Sequence, residues 1–287
     1  MARRTLLMFV VVALACAGCG AEPPAAARTT EPAPTVDAPS LFDVSNCGTI
    51  TGLIAWNGPI PDVKPVAHTV PRADGTGHDN ALVALANAPR IDTFTRGMAG
   101  AVVYLREVNP AQARQWDLPP VEVAFADGKL QVTQGDRVGR TGFVRRGAGV
   151  AFQSREARFH SLRARGAAFF ALPFPDPGKP LTRTFDTCGR VELTSAAGFY
   201  WQSADLFVCD HPYYTVTDAD GRYRFTHVPA GQYTLVAWHP NWGVTRTERN
   251  PETTLPFRLY CGPPLESARP VTVERGRTSL ATLSLPK

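Results

Sequence analysis

The sequence predicts an all-β chain, organised as two Greek-key β-sandwiches in tandem. Three observations predict it. Apolar residues recur at period two in run after run, as half-buried strands require. The 287 residues include 24 glycines and 26 prolines, well above the usual combined share of about 12%, so turns are frequent and long helices are disfavoured. Hydrophobic residues make up 44% and charged residues only 19%, which excludes disorder as the main state and leaves ample material for cores.

The first eighteen residues read as an address. Arg3 and Arg4 precede an apolar run from Leu6 to Ala17, the layout of a secretory signal. At about 1.5 Å per residue that run reaches about 18 Å, short of a bilayer core of about 30 Å. Its end, Ala17-Gly18-Cys19-Gly20, resembles a bacterial lipobox, which implies a lipid on Cys19; Cys16 is a second candidate. Residues 19–45 are rich in Pro, Ala and Thr and read as a tether. The net charge of +5 falls further once the leader is removed, so charge gives no reason to expect nucleic acid.

The body reads as strands. Residues 49–56 are β-branched and aromatic and stop at Asn57-Gly58-Pro59. Residues 101–105 form a second run. Val121, Val123 and Phe125 alternate, Asp127-Gly128 turns the chain, and Leu130 and Val132 alternate back, the clearest hairpin of the first half. Residues 149–153 are a further strand, and residues 81–88 suit one short helix. From Tyr213 onward, Asp218 and Gly221 mark one turn and residues 228–231 the next. Tyr223 and Phe225, then Tyr233, Leu235 and Ala237, repeat the alternation, which predicts a three-strand meander with an aromatic core. Val271, Val273, Leu280, Leu283 and Leu285 supply closing strands.

An exported chain meets an oxidising compartment, so Cys47, Cys188, Cys209 and Cys261 read as disulfides rather than metal or redox groups. A hairpin that pairs Leu193 with Ala204 also sets Cys188 opposite Cys209, which leaves Cys47 for Cys261.

The run Thr217-Asp218-x-x-Gly221-x-Tyr223-x-Phe225-x-x-Val228-Pro229-x-Gly231-x-Tyr233-x-Leu235 closely resembles the carboxypeptidase regulatory-like domain, also likened to transthyretin and starch-binding modules. The resemblance covers residues 210–287, with an insertion around 241–264, and implies an accessory sandwich without catalytic residues. Ahead of it, Val150-x-Phe152, His160, Thr184-Phe185-Asp186 and Gly189-x-Val191-x-Leu193 resemble a cupredoxin (plastocyanin-like) domain over residues 46–209. A blue-copper site needs two His and a Cys thiolate, usually with an axial Met. Where the resemblance implies the Cys, second His and Met, this chain has Leu193-Thr194-Ser195-Ala196-Ala197-Gly198-Phe199-Tyr200-Trp201. His160 is therefore read as the remnant of a metal site, with Phe199, Tyr200 and Trp201 occupying the emptied place or lining a surface groove.

No nucleophile, metal-hydrolase or phosphate-loop motif accompanies a suitable element. The arginines Arg145, Arg146, Arg155, Arg158, Arg163 and Arg165 cluster in sequence and suit an anionic envelope polymer. Trp201, Trp238 or Trp242 suit stacking on sugar rings. The reading is a non-catalytic, lipid-anchored envelope protein that binds or scaffolds, with a glycan, anionic polymer or protein as partner and no cofactor. The alternatives are a copper electron carrier and a carbohydrate-binding envelope protein.

Overall fold

The computed structural model describes residues 41–71, 76, 78–249, 251 and 256–286. The expected leader, Cys16, Cys19 and the tether up to residue 40 lie outside the described residues. Among the described residues no helix is long and apolar enough to cross a membrane.

After a 3-10 turn at Val44–Asn46, the chain lays down β1 (Cys47–Trp56), β2 (Val66–Pro71), β3 (His78–Val83), β4 (Arg90–Ile91), β5 (Met98–Ala99) and β6 (Val102–Arg106). There follow β7 (Val121–Ala126), β8 (Lys129–Gln134), β9 (Arg137–Gly139), β10 (Thr141–Arg145), β11 (Gly149–Ser154), β12 (His160–Gly166), β13 (Phe170–Phe174), β14 (Leu181–Thr184), β15 (Gly189–Ser195) and β16 (Ser203–Cys209). The chain closes with β17 (Tyr214–Val216), β18 (Arg222–Pro229), β19 (Gly231–His239), β20 (Val244–Arg249), β21 (Pro256–Cys261), β22 (Leu265–Val273), β23 (Thr278–Leu280) and β24 (Leu283–Leu285). The all-β class holds. The segment expected as a short helix at 81–88 is instead the end of β3, paired with β2, followed by a turn.

The sheets are joined differently from the tandem order. One sandwich pairs β18-β1-β23, with β24 also on β1, against β17-β6-β19-β22. The other pairs β10-β16-β15-β12-β13 against β14-β11-β7-β8-β9. The first sandwich therefore takes β1 and β6 from the front of the chain and β17, β18, β19, β22, β23 and β24 from its end. The second, β7–β16, is inserted between β6 and β17. The seam expected at residue 210 is one of two chain crossings, and β1 and β6, at the front of the supposed first domain, belong to the host sandwich.

Each sandwich has its own core. Ile50, Ile54, Leu105, Tyr213, Leu235 and Val273 are buried together in the host, and Val123, Phe125, Phe152, Leu172, Leu193 and Leu206 in the insert. A third cluster, Val102, Phe143, Phe207, Cys209 and Trp238, joins them. Successive side chains on a strand point to opposite faces. Val103 and Leu105 of β6 therefore face the host core while Val102 faces the insert, and on β16 Leu206 and Val208 face the insert core while Phe207 and Cys209 face the host.

The expected meander is also rearranged. The strands β17, β18 and β19 follow one another closely, yet β18 pairs with β1 and β17 and β19 flank β6. Each turn carries the chain from one sheet to the other. Asp218 caps the first by accepting from the amides of Asp220 (3.0 Å) and Arg222 (2.8 Å). Gly221 stands at φ +80°, and a Cβ there would lie 2.5 Å from Met98 N, so this close approach requires glycine. The Asp127-Gly128 hairpin forms as predicted, with φ 52° and 71° and β7 paired on β8, the geometry of a primed turn.

Candidate functional site

The hairpin register is as expected: Leu193 faces Ala204 and Gly189 faces Val208, which sets Cys188 beside Cys209. The thiols are nonetheless unbonded, as are those of Cys47 and Cys261. Cys188 is exposed and Cys209 buried, and burial pushes the Cys209 thiol well up. The second expected pairing fails on distance. Cys47 pairs with Pro229, just before β19, whereas Cys261 adjoins β22, whose Leu265 pairs with His239 at the far end of β19. The nine residues of β19 separate these ends by about 26 Å, while a disulfide needs Cα atoms within about 7 Å.

His160 opens β12 and is fully buried. Its ring stacks on Phe125 at 4.3 Å between centroids and 16° between planes. Nε2 donates to Glu156 Oε2 at 2.8 Å, and Arg158 Nε donates to the same oxygen at 2.7 Å. Burial lowers the His160 pKa against the opposing pull of Glu156. Burial raises that of Glu156, but the Gly128 amide, His160 and Arg158 together carry it below its ordinary value. The His160 Nδ1 makes no well-formed hydrogen bond, and Gln202 is the remaining polar side chain acting on the ring.

The loop between β15 and β16 fills the space beside this ring. Phe199 lies 6.2 Å from it and Trp201 packs edge-on to Phe199 at 5.3 Å. Arg158 covers Phe199 at 5.1 Å, and the Trp201 Nε1 donates to Gly128 O at 2.9 Å. This donor set does not fit a blue-copper ion. It offers one imidazole with one nitrogen engaged by a carboxylate, a guanidinium beside it, and no thiolate or thioether. Among the described residues no group of three or more His, Cys, Asp or Glu could hold a metal.

The arginine cluster is dispersed by the fold. Arg155, just past β11, pairs with Glu122 at 2.6 Å, and Arg158 pairs with Glu156. Arg163 and Arg165 lie on β12 in the opposite sheet, with Arg165 directly across from Glu192. Arg145 and Arg146 stand at the end of β10. The sequence cluster is thus divided between two sheets: Arg155 and Arg158 sit on carboxylates, while Arg163 and Arg165, two residues apart on β12, share the outward face of theirs.

A cleft of about 260 Å³ opens where the two sandwiches meet. Its floor is the outward face of β15, carrying Arg190, Glu192 and Thr194, with Trp201 and Tyr200 from the following loop. Its far wall comes from the host, chiefly Asn241, Trp242 and the Cys261-Gly262 turn, with Asn87 at the rim. Arg190 donates to Asp205 at 2.7 Å and lies over the Trp238 ring at 4.9 Å. Arg140 donates to Ser203 O at 2.7 Å and to Asn87 Oδ1 at 2.9 Å, tying the rim to the insert. Asn87 in turn donates to Asn241 O. The cleft walls are therefore cross-linked by charge-assisted hydrogen bonds between host and insert. Sequence reasoning named Trp201 and Trp242 but not Arg190, Glu192 or Asn241, because only the insertion topology brings 190–203 against 240–242 and 259–264. Trp238, the third candidate, is buried at the seam.

Residues 210–254 match the family described as BOS complex subunit NOMO1-like, second beta sandwich domain. No curated protein matches the chain. Similar solved structures include a novel purple cupredoxin from Nitrosopumilus maritimus, 14% identical over 31% of this chain and 98% of that one, TM-score 0.25. A variant of amicyanin in its oxidized state is 18% identical over 37% of this chain and 98% of that one, TM-score 0.26. A reduced amicyanin variant is 17% identical with the same coverages, TM-score 0.25.

Proposed function

We propose that the chain is a non-catalytic cell-envelope module that binds or scaffolds, held on a membrane by a lipid at Cys19, and that it carries its cupredoxin-like insert as a redox-silent unit. The observation that carries this reading is the filled position around His160. Glu156 and Arg158 engage the imidazole, and Phe199 and Trp201 occupy the space beside it. Copper affinity needs several converging donors with an ordered outer shell, and the residues at this place supply neither the thiolate nor a second imidazole. A partner would meet the chain at the cleft between the sandwiches, since recognition sites favour concave junctions lined by a few convergent polar groups.

The test is a Cu(II) titration of the purified chain followed by visible absorption and by metal analysis after desalting. The reading expects no intense thiolate band and no stoichiometric copper; either one would install the electron-carrier alternative. Fractionation of expressing cells tests the anchor. Cys19→Ala should move the chain from membrane to soluble fraction, and continued membrane retention removes the lipid from the proposal.

A further inference from the structure

We infer that the outward face of β12, where it carries the cleft floor past β15, seats the phosphate group of a phosphomonoester. The inference rests on the binding-module reading above and adds the class of ligand.

The first argument is charge. Arg163 and Arg165 alternate with the buried His160, Leu162 and Ala164, so both stand on the outward face of β12. Residues two apart on a strand are separated by about 7 Å, close enough for two guanidinium forks to meet on one small ligand. Across on β15, Thr194 faces Arg163 and Glu192 faces Arg165. On the other side β13 sets the uncharged Ala171 opposite Arg163. Glu192 approaches Arg190, with Nη2 to Oε1 at 3.6 Å, and Arg190 holds Asp205 at 2.7 Å, which Arg140 also attracts. Four guanidinium groups thus meet two carboxylates, and the floor is net positive. The host residues that line the cleft carry no formal charge, and burial pushes the Cys261 thiol among them up, away from the thiolate. The field therefore draws an anion.

The second argument is that the two β12 arginines are not spent on the protein. Arg155 and Arg158 sit on Glu122 and Glu156, whereas among the described residues neither Arg163 nor Arg165 has a carboxylate within ion-pair distance. The Nε of Arg165 is covered and has no acceptor. An arginine that no protein group holds is free to turn its fork to a ligand oxygen. The number of forks selects the ligand. One fork saturates the two oxygens of a carboxylate, whereas a phosphomonoester brings close to two negative charges and three terminal oxygens for two forks to share. The hydroxyl of Thr194, opposite Arg163, is a further donor beside them. Beyond β15 the cleft of about 260 Å³ has room for a small organic group attached to the phosphate, just below the usual range of about 300–1,000 Å³ for whole ligand sites.

The experiment titrates the purified full chain with inorganic phosphate, glycerol phosphate, the soluble lipid dihexanoyl phosphatidic acid and acetate, read by calorimetry at constant ionic strength. The phosphates should bind saturably and acetate should not. Arg163→Gln and Arg165→Gln should each weaken phosphate by about ten-fold, the effect of losing one charge-assisted hydrogen bond. Glu192→Gln should tighten it, because the carboxylate opposite Arg165 is removed, and this gain keeps the test decisive if an arginine variant fails to fold. Arg224→Gln, at an exposed arginine of β18, should leave it unchanged. Tighter binding of phosphatidic acid than of glycerol phosphate assigns a lipid headgroup as the source and equal binding assigns a soluble ester; both bear the inference out. Acetate binding as tightly as phosphate overturns it, as does phosphate binding that neither β12 variant weakens or that Arg224→Gln weakens equally. If no phosphate binds, the inference falls, and the wider reading is judged by the copper and fractionation experiments alone.

Discussion

Acidification should unfold the host sandwich through two histidines that never appear at its surface. His211 and His239 are both buried, and burial lowers each from an ordinary 6.5 to about 4. Neither has compensation enough to hold a charge. His211 has Asp210 nearby, but its Nδ1 accepts from the Tyr213 amide at 3.3 Å, a bond that protonation destroys. His239 donates Nδ1 to Pro240 O at 2.8 Å, and the guanidinium groups of Arg140 and Arg90 further disfavour its charged form. The unfolded chain takes up protons near pH 6.5 and the folded chain only near pH 4. Stability from each histidine is thus complete above about pH 6.5 and is lost as the pH falls toward 4. Integrating the proton-binding difference gives a loss of about 2 kcal/mol per histidine between about pH 7 and pH 5. The assay is urea denaturation of the whole chain at these two pH values, for the natural protein and for His211→Asn with His239→Asn. Asparagine keeps an acceptor at the first site and a donor at the second. The double variant should lose about 4 kcal/mol less than the natural protein over this interval. Parallel stability profiles for the two proteins would refute the reasoning.

Other outcomes follow from single contacts. A thiol-alkylating reagent applied to the native chain should modify Cys188 at once and spare Cys209 and Cys47 until denaturant is added; mass mapping that finds a bridged Cys188–Cys209 peptide would contradict the free thiols. Gly97→Ala places a Cβ 1.7 Å from Asp220 O and should cost about 3 kcal/mol by forcing apart β5 and the 218–221 turn, measurable as a lowered denaturation midpoint. Tyr213→Phe removes a hydroxyl that donates to His227 O at 2.6 Å and accepts from Arg114 N, for a loss of about 1–3 kcal/mol. Glu156→Ala leaves His160 and Arg158 without their shared acceptor and should lower the melting temperature while adding no copper affinity; a gain in bound copper would revive the metal site.

What was legible in the sequence was local. The Asp127-Gly128 turn, the Leu193–Ala204 register and the Asp218–Gly221 cap are set by backbone preferences of a few residues, and each is present. What was illegible was long-range. Residues 101–105 read Ala-Val-Val-Tyr-Leu, apolar on both faces, which announces a strand but not that its two sides meet two different cores. No meander forms, because alternation gives a strand's faces but not its neighbours, and β6, more than a hundred residues from β17 in the chain, slots between β17 and β19. The cleft was half seen for the same reason: its two tryptophans are conspicuous in any sequence, whereas Arg190 and Glu192 acquire meaning only when Asn241 stands opposite.

The pairing of Tyr104 with Tyr214 makes β6 and β17 a clasp on the stretch between them. Were residues 107–213 a slack coil, bringing their ends together would oppose host folding by about 4 kcal/mol. Once β7–β16 have packed, that span is already drawn shut, and the host inherits the benefit. Damage to the guest's interior should accordingly loosen a neighbour whose own residues are untouched.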